Sequence, residues 1–244
     1  MERFETTQWS VVLAAQAGDS PGAHEALDRL CRDYWRPLFV FLRRAGHSPP
    51  DAEDLTQQFL AGLLARDGLA RVHPRHGRFR AFLMASLRNF LSHERERAGA
   101  LKRGGGLRLV ALDTEQSPAH GWLESAAEES PEAAFDRQWG LTVLARARRR
   151  LEAEYVAAGK TAQFALLVEY LPGGEPGRSQ SEVAAVLDTT VSAVKSEVYR
   201  LRQRYGQYLR AEIADTVADP AEIDGEIRYL LGLFAARPTI NSAT

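Results

Sequence analysis

Apolar residues recur at helical spacing along nearly the whole chain. Leu27, Leu30, Tyr34, Phe41 and Leu42 fall on one face of a helix predicted over about 24–45. Leu55, Phe59, Leu60, Leu63 and Leu64 do the same over 51–66, and Phe79, Leu83, Leu87, Phe90 and Leu91 over 79–99. A shorter helix from near Thr7 would carry Trp9, Val12 and Leu13. Further helices are predicted over 132–155, 161–171, 179–187 and 190–210, with Pro172-Gly-Gly-Glu-Pro-Gly177 as a turn. Asp219-Pro-Ala-Glu222 then restarts a helix with Ile223, Ile227, Leu230, Leu231 and Phe234 on one broad apolar face. No alternating Val/Ile/Thr run exceeds a few residues, so the expected fold class is all-α. There is no internal repeat.

Punctuation in the sequence divides these helices. Ser48-Pro-Pro-Asp51 is a helix start, with serine at the N-cap, proline where a missing N–H costs nothing, and a carboxylate beside the positive end of the dipole. Gly104-Gly-Gly106 breaks the third helix, and the segment that follows is rich in acids and turn residues. The expected organisation is therefore a helical domain over 1–103, a linker over 104–131, a second helical domain over 132–210, and a C-terminal helical extension and tail over 211–244. With 244 residues, 45% of them hydrophobic, the chain can bury two small cores. The extension would expose a costly apolar patch unless it packs on its own domain or on a partner, and it is expected to fold back on the second domain, either stabilising it or masking a binding surface.

Charge changes the picture more than composition does. The formal net charge is only -1, yet 71–108 holds ten basic residues against two acidic ones, whereas 113–136 holds seven acidic residues and no Lys or Arg. Segregation of this kind suits a phosphate-binding block followed by an acidic tether, although runs of like charge also arise as plain solvated faces. The single cysteine, Cys31, allows neither an internal disulfide framework nor a CxxC metal site and fits a reducing cytoplasm. No segment has the roughly twenty apolar residues of a membrane helix, and the N-terminus lacks an export signal's pattern, so the expected location is cytoplasmic, away from membranes.

Residues 179–208 read as a helix-turn-helix. Ser179-Gln-Ser-Glu182 forms a capping box, Ala184 lets two helices cross closely, and Asp188-Thr-Thr190 makes the turn, with Asp188 where glycine is usual. Val183, Leu187, Val194 and Val198 would share a core. The second helix turns Ser192, Lys195, Ser196 and Tyr199 outward together with Arg200, Arg202 and Arg204. The first three would reach base edges in a major groove, while the arginines would hold phosphates. An ordinary helical hairpin with an exposed basic face is the alternative.

Two faces in the first domain also carry chemistry. Asp51, Glu53, Asp54, Gln57 and Gln58 face outward at the start of their helix, an acidic patch that is either docking surface or capping chemistry. Over 79–97, Arg88, Ser92 and Arg95 align at i, i+4 and i+7, with Asn89, His93 and Arg97 flanking. That face suits phosphate contact and capture of bases once a duplex opens. Phe82 is a candidate for base stacking or for the core.

These motifs together resemble regions 2 and 4 of the sigma-70 family of RNA polymerase initiation factors. The residues that carry the resemblance are Asp51-Ala-Glu-Asp-Leu-Thr-Gln-Gln-Phe59, Phe79-Arg-Ala-Phe-Leu83, Leu87-Arg-Asn-Phe-Leu91 with Arg95, Glu182-Val-Ala-Ala-Val-Leu187, Val194-Lys-Ser196 and Arg200-Leu-Arg202. The chain is most similar to the extracytoplasmic-function (ECF) group, which keeps only those two regions. Thr7-Gln-Trp-Ser10, Ala17-Gly-Asp-Ser20, Tyr34-Trp35 and Gly46-His-Ser-Pro49 further resemble the kind found in planctomycetes. The resemblance implies that Asp51, Glu53, Asp54, Gln57 and Gln58 dock on the β′ clamp helices of core RNA polymerase. It implies that Arg88, Asn89, Ser92, His93, Arg95 and Arg97 recognise and help melt the minus-ten element of promoter DNA. The helix-turn-helix would read the minus-thirty-five element near the β flap, and the acidic linker would imitate nucleic acid. An anti-sigma factor or a Ser/Thr kinase would be a further partner, with Thr56 on the acidic helix as one phosphate acceptor.

Enzyme chemistry has little support. The sequence has no GxSxG, GxxxxGK[ST], HExxH or GxGxxG, and His73 and His76 stand among arginine and proline, so no catalytic residue, metal or cofactor is expected. Two rivals to an initiation factor remain: a helix-turn-helix regulator whose N-terminal helices dimerise or bind a ligand, and a protein-binding helical scaffold.

Overall fold

The computed structural model describes residues 21–64, 78–103, 129–172, 174, 177–214, 216–217 and 219–235. The helix expected near Thr7, the segment 104–128, His73 and His76 lie outside the described residues. Among the described residues are eight α-helices and no strand: α1 (Pro21–Arg44), α2 (Pro49–Leu64), α3 (Phe79–Arg103), α4 (Pro131–Ala157), α5 (Thr161–Leu167), α6 (Gln180–Val186), α7 (Val191–Ala214) and α8 (Ile223–Ala235). The chain is all-α. No described helix is long and apolar enough to cross a membrane. The described residues fall into two compact units, divided between Gln138 and Trp139, inside the continuous helix α4.

In the first unit, α1 buries Ala23, Leu30, Tyr34, Leu38, Phe41 and Leu42 along one face. It ends in a Schellman motif. His47 N–H reaches the Leu42 carbonyl at 3.1 Å and Gly46 N–H that of Arg43 at 3.2 Å, with Gly46 at the left-handed φ of 94° that glycine takes without strain. The reversal lays α2 against α1. Serine 48 caps α2, accepting the Asp51 N–H at 3.3 Å and donating to its carboxylate at 2.6 Å, as its sequence predicts. The three helices share an aromatic core: Tyr34 meets Phe79 edge-on at 5.4 Å, and Phe59 lies 5.7 Å from Phe90. Helix α3 runs on past Gly99, the predicted end, to Arg103.

In the second unit, α4 buries Trp139, Val143, Ala147 and Leu151 at four-residue spacing, and α7 buries Val194, Val198, Leu201, Tyr205, Leu209 and Ile213. Between them sits a buried carboxylate. Glu212, 4% exposed, is 2.8 Å from Arg146 and 3.2 Å from Arg150. The Tyr205 hydroxyl donates to the Leu144 carbonyl at 3.4 Å, and burial pushes its pKa up to about 12.

Helix α8 folds back on this unit, as the sequence suggested. Ile223 and Leu230 are buried against it together with Glu226, and Arg210 pairs with Asp224. Gly140 permits the approach, since a Cβ there would stand 3.2 Å from the Phe234 ring. Ile227 and Phe234 are half-buried, and Leu231, expected on the inner face, is 48% exposed. At about 100° per residue it lies a quarter turn beyond Leu230, at the edge of the contact.

Removing Glu212 leaves Arg146 charged and buried. Glu212→Ala is expected to lower stability by about 3–5 kcal/mol, read from the urea midpoint at constant slope. Leu230→Ala should lower it by about 2–5 kcal/mol while leaving helix content unchanged by circular dichroism.

Candidate nucleic-acid interface

The helix-turn-helix is built from short-range hydrogen bonds that its sequence encodes. The Ser179 hydroxyl accepts the Glu182 N–H at 3.3 Å, and the Glu182 carboxylate accepts the Ser179 N–H at 2.6 Å. The Ser179 N–H and the Ser179 hydroxyl, which also donates to the carboxylate at 2.8 Å, hold the Glu182 carboxyl below its usual range. After α6, Thr189 N–H returns to the Ala184 carbonyl at 3.0 Å, and Asp188 adopts a φ of 49°. Aspartate tolerates this left-handed turn better than most side chains do, which is why it can replace glycine. Thr190 then caps α7, its hydroxyl accepting the Ala193 N–H at 3.1 Å. Val183, Ala184, Val194 and Val198 close the core, whereas Leu187, expected with them, is half-buried.

The outer face of α7 carries every residue predicted for it. Ser192, Lys195, Ser196, Tyr199, Arg200, Arg202 and Arg204 are all exposed. At about 100° per residue, Ser192, Ser196, Tyr199 and Gln203 form a central ridge, with Lys195 and Arg202 on one flank and Arg200 and Arg204 on the other. The flanks differ electrically. Arg200 is 2.5 Å from Glu197, and Arg204 is 2.8 Å from Glu154 and lies over the Tyr208 ring. Partial burial pushes Glu154 up, but hydrogen bonds from Tyr208 and Arg204 outweigh it and leave the carboxyl below its usual range. A groove of about 580 Å³ runs along this flank, where Lys160, Arg200 and Arg204 face Glu154 and Glu197. Arg202, by contrast, donates to the neutral Tyr170 carbonyl at 2.9 Å, a contact that positions the guanidinium without cancelling its charge. Among the described residues no carboxylate pairs with Lys195 or Arg202, which leaves this flank the more positive of the two.

Comparison of the chain with protein-family models, with curated proteins and with solved structures finds no match.

In the first unit α3 also presents its predicted face. Arg88, Asn89, Ser92, His93, Arg95 and Arg97 are all exposed. Arg88, Ser92 and Arg95 form one stripe, with Asn89 and His93 beside it, while Arg97, nine residues after Arg88, lies about half a turn away. Carboxylates of the same chain answer part of this charge. Arg97 is 2.9 Å from Glu94, His93 is 3.7 Å from Glu96, and Arg88 is 2.8 Å from Glu132 of α4. Phe82 is half-buried and stacks on Phe79 at 6.0 Å, which ties its ring to the core.

Asp51, Glu53, Asp54, Gln57 and Gln58 are exposed along α2, while Ala52, Thr56, Phe59, Leu60 and Leu63 face inward. Thr56 corrects one expectation. It is fully buried and its hydroxyl donates to the Ala52 carbonyl at 2.6 Å, so it is no surface acceptor for a kinase. At the turn before α2, His47 is held below its usual pKa by burial, against the pull of Asp51, with Arg95 adding to the lowering. Asp51 of α2 and Arg95 of α3 therefore act on His47 in opposite directions.

Sequence reasoning missed two exposed apolar residues at the turn. Val186 is 62% and Val191 40% exposed, one at the end of α6 and one at the start of α7. Val186 falls off the apolar stripe of α6, whereas Val191 lies on the stripe of α7 but in its first residue, at the open end of the hairpin. Val191 stands one turn from Lys195, where a thymine methyl could meet it.

On duplex DNA, Lys195→Ala is expected to reduce the slope of log affinity against log salt by about one, and Arg204→Ala by less because Glu154 already neutralises it. Fluorescence anisotropy across a salt series measures both slopes.

Proposed function

We propose that this protein is a transcription initiation factor of the sigma-70 type, in the extracytoplasmic-function group, acting in the cytoplasm. In this reading it binds core RNA polymerase through Asp51, Glu53, Asp54, Gln57 and Gln58. It opens and holds the minus-ten element with Arg88, Asn89, Ser92, His93, Arg95 and Arg97, and it reads the minus-thirty-five element with Ser192, Lys195, Ser196 and Tyr199. Arg200, Arg202 and Arg204 take the phosphates. The observation that carries the reading is one of assembly: a capped helix-turn-helix with an exposed cationic recognition face stands in the same chain as a separate helical unit bearing an acidic face and a cationic face. A protein that only bound duplex DNA would need the first of these alone. The family resemblance of the motifs supports the same assignment of roles.

One observation favours a second reading, a helix-turn-helix regulator that works without replacing an initiation factor. Three residues of the α3 face, Arg88, His93 and Arg97, lie beside carboxylates of this chain, which leaves the α7 face as the stronger nucleic-acid surface. Core polymerase separates the two. Asp51→Ala with Asp54→Ala, both at exposed positions, is expected to weaken association with core RNA polymerase by about tenfold, roughly 1.4 kcal/mol, while Lys195→Ala leaves it unchanged. Failure of the unaltered chain to associate, with operator binding intact, decides for the regulator.

A further inference from the structure

Helix α4 begins inside the acidic stretch of the sequence, and its first two turns belong with the first unit. The Ser130 hydroxyl caps it, accepting the Ala133 N–H at 3.2 Å, and Ala134 and Phe135 are fully buried. This anchoring fixes where the acids of the same turns stand. Asp136 lies 3.4 Å from Arg80 near the start of α3, and Glu132 lies 2.8 Å from Arg88, two turns further along α3. Glu129 is turned back on its own helix, 2.6 Å from Arg137. Glu132 alone among these therefore occupies a side chain of the nucleic-acid stripe. Both members of its pair are about half exposed, at 56% and 48%, so solvent and competing anions reach it. The bond from Arg88 holds the Glu132 carboxyl below its usual range and keeps it charged at neutral pH.

We propose that the acidic first turn of α4 is a built-in competitor for nucleic acid on α3, with Glu132 standing where a phosphate would bind Arg88. This rests on the reading of α3 as a nucleic-acid face and adds a control to it. A phosphate that takes Arg88 must displace Glu132, so binding at this stripe is discounted by the pair's own energy. Because the pair is exposed, that discount is small enough for a well-placed strand to overcome and large enough to disfavour casual contacts. The same arrangement discriminates by charge density: a single-stranded segment that also engages Ser92 and Arg95 offsets the loss, whereas an isolated phosphate does not.

The test uses the full chain and a fluorescein-labelled single-stranded DNA of mixed sequence, followed by anisotropy at low and high salt. Glu132→Gln keeps the shape of the side chain at an exposed position, so folding is not at stake. It is expected to bind about two- to fivefold tighter at low salt, with the gain vanishing at high salt, where such pairs are screened. Arg88→Ala should bind more weakly, and Glu132→Gln placed in the Arg88→Ala background should gain nothing, which separates a local pair from a general change of net charge. Weaker binding by Arg88→Ala with no gain from Glu132→Gln overturns the competitor and leaves the α3 reading standing. A gain of equal size in both backgrounds overturns it too. Binding that Arg88→Ala leaves unchanged removes the α3 reading itself, and the competitor with it.

Discussion

The buried carboxylate of Glu212 sets the geometry on which the exposed outer face of α7 depends. Held at 2.8 Å by Arg146 and at 3.2 Å by Arg150, it joins α4 to α7 at a fixed register. Dispersion and apolar burial between two helices tolerate small slides, because a ridge can shift to a neighbouring groove at modest cost. A charge removed from water tolerates them less, since a slide that pulls either arginine away weakens the compensation of a buried carboxylate. Every residue on the outer face of α7 inherits its direction from that constraint. A rotation of one residue, about 100°, would carry Lys195 off the exposed arc.

Charge balance is the second constraint, and it explains which cations are open to a partner. The chain carries 31 basic and 32 acidic residues, so a cationic face survives only where the fold keeps carboxylates away from it. On α7 the two flanks resolve this differently. Arg200 and Arg204 meet Glu197 and Glu154, whereas Arg202 is steadied by a backbone carbonyl that carries no formal charge. The first arrangement cancels charge, and the second only positions it. On α3 the acids come from within the helix, as Glu94 and Glu96, and from α4, as Glu132. Net charge by region, which marks 71–108 as basic, does not describe this local pairing.

Most of the fold was legible because it rests on periodicity and on caps that lie within a few residues of what they cap. The stripe on α1, the Ser48 start of α2, the Ser179–Glu182 box and the turn at Asp188 all follow from side chains at most four positions apart. What was not legible depends on separations of tens of residues. Arg88 meets Glu132 across 44 positions and Arg204 meets Glu154 across 50, and nothing in local spacing announces either pair. Thr56 failed for a different reason. Its polarity suggested the acidic face, but a hydroxyl that bonds to the carbonyl four residues back satisfies itself inside the helix, and so can be buried like an apolar side chain. Leu231 shows the limit of reading a helix as one broad face, because the contact with the second unit is narrower than the apolar arc.

The placement of α8 separates stability from recognition. It packs on the later part of α7, where Arg210 pairs with Asp224, and on α4 at Gly140, where the absence of a side chain admits Phe234. The residues that would contact bases lie at the other end of α7, within its first turns, and stay exposed. A helix of 24 residues fixed only near one end would leave its far end to be held by the short-range contacts of the turn. Here the two ends are held by independent means, α8 and the Glu212 pair at one and the Asp188 turn with Val183 and Ala184 at the other. A face supported at both ends can be stiff without being covered. That is the physical reason the extension supports α7 and leaves its outer face uncovered in this structure.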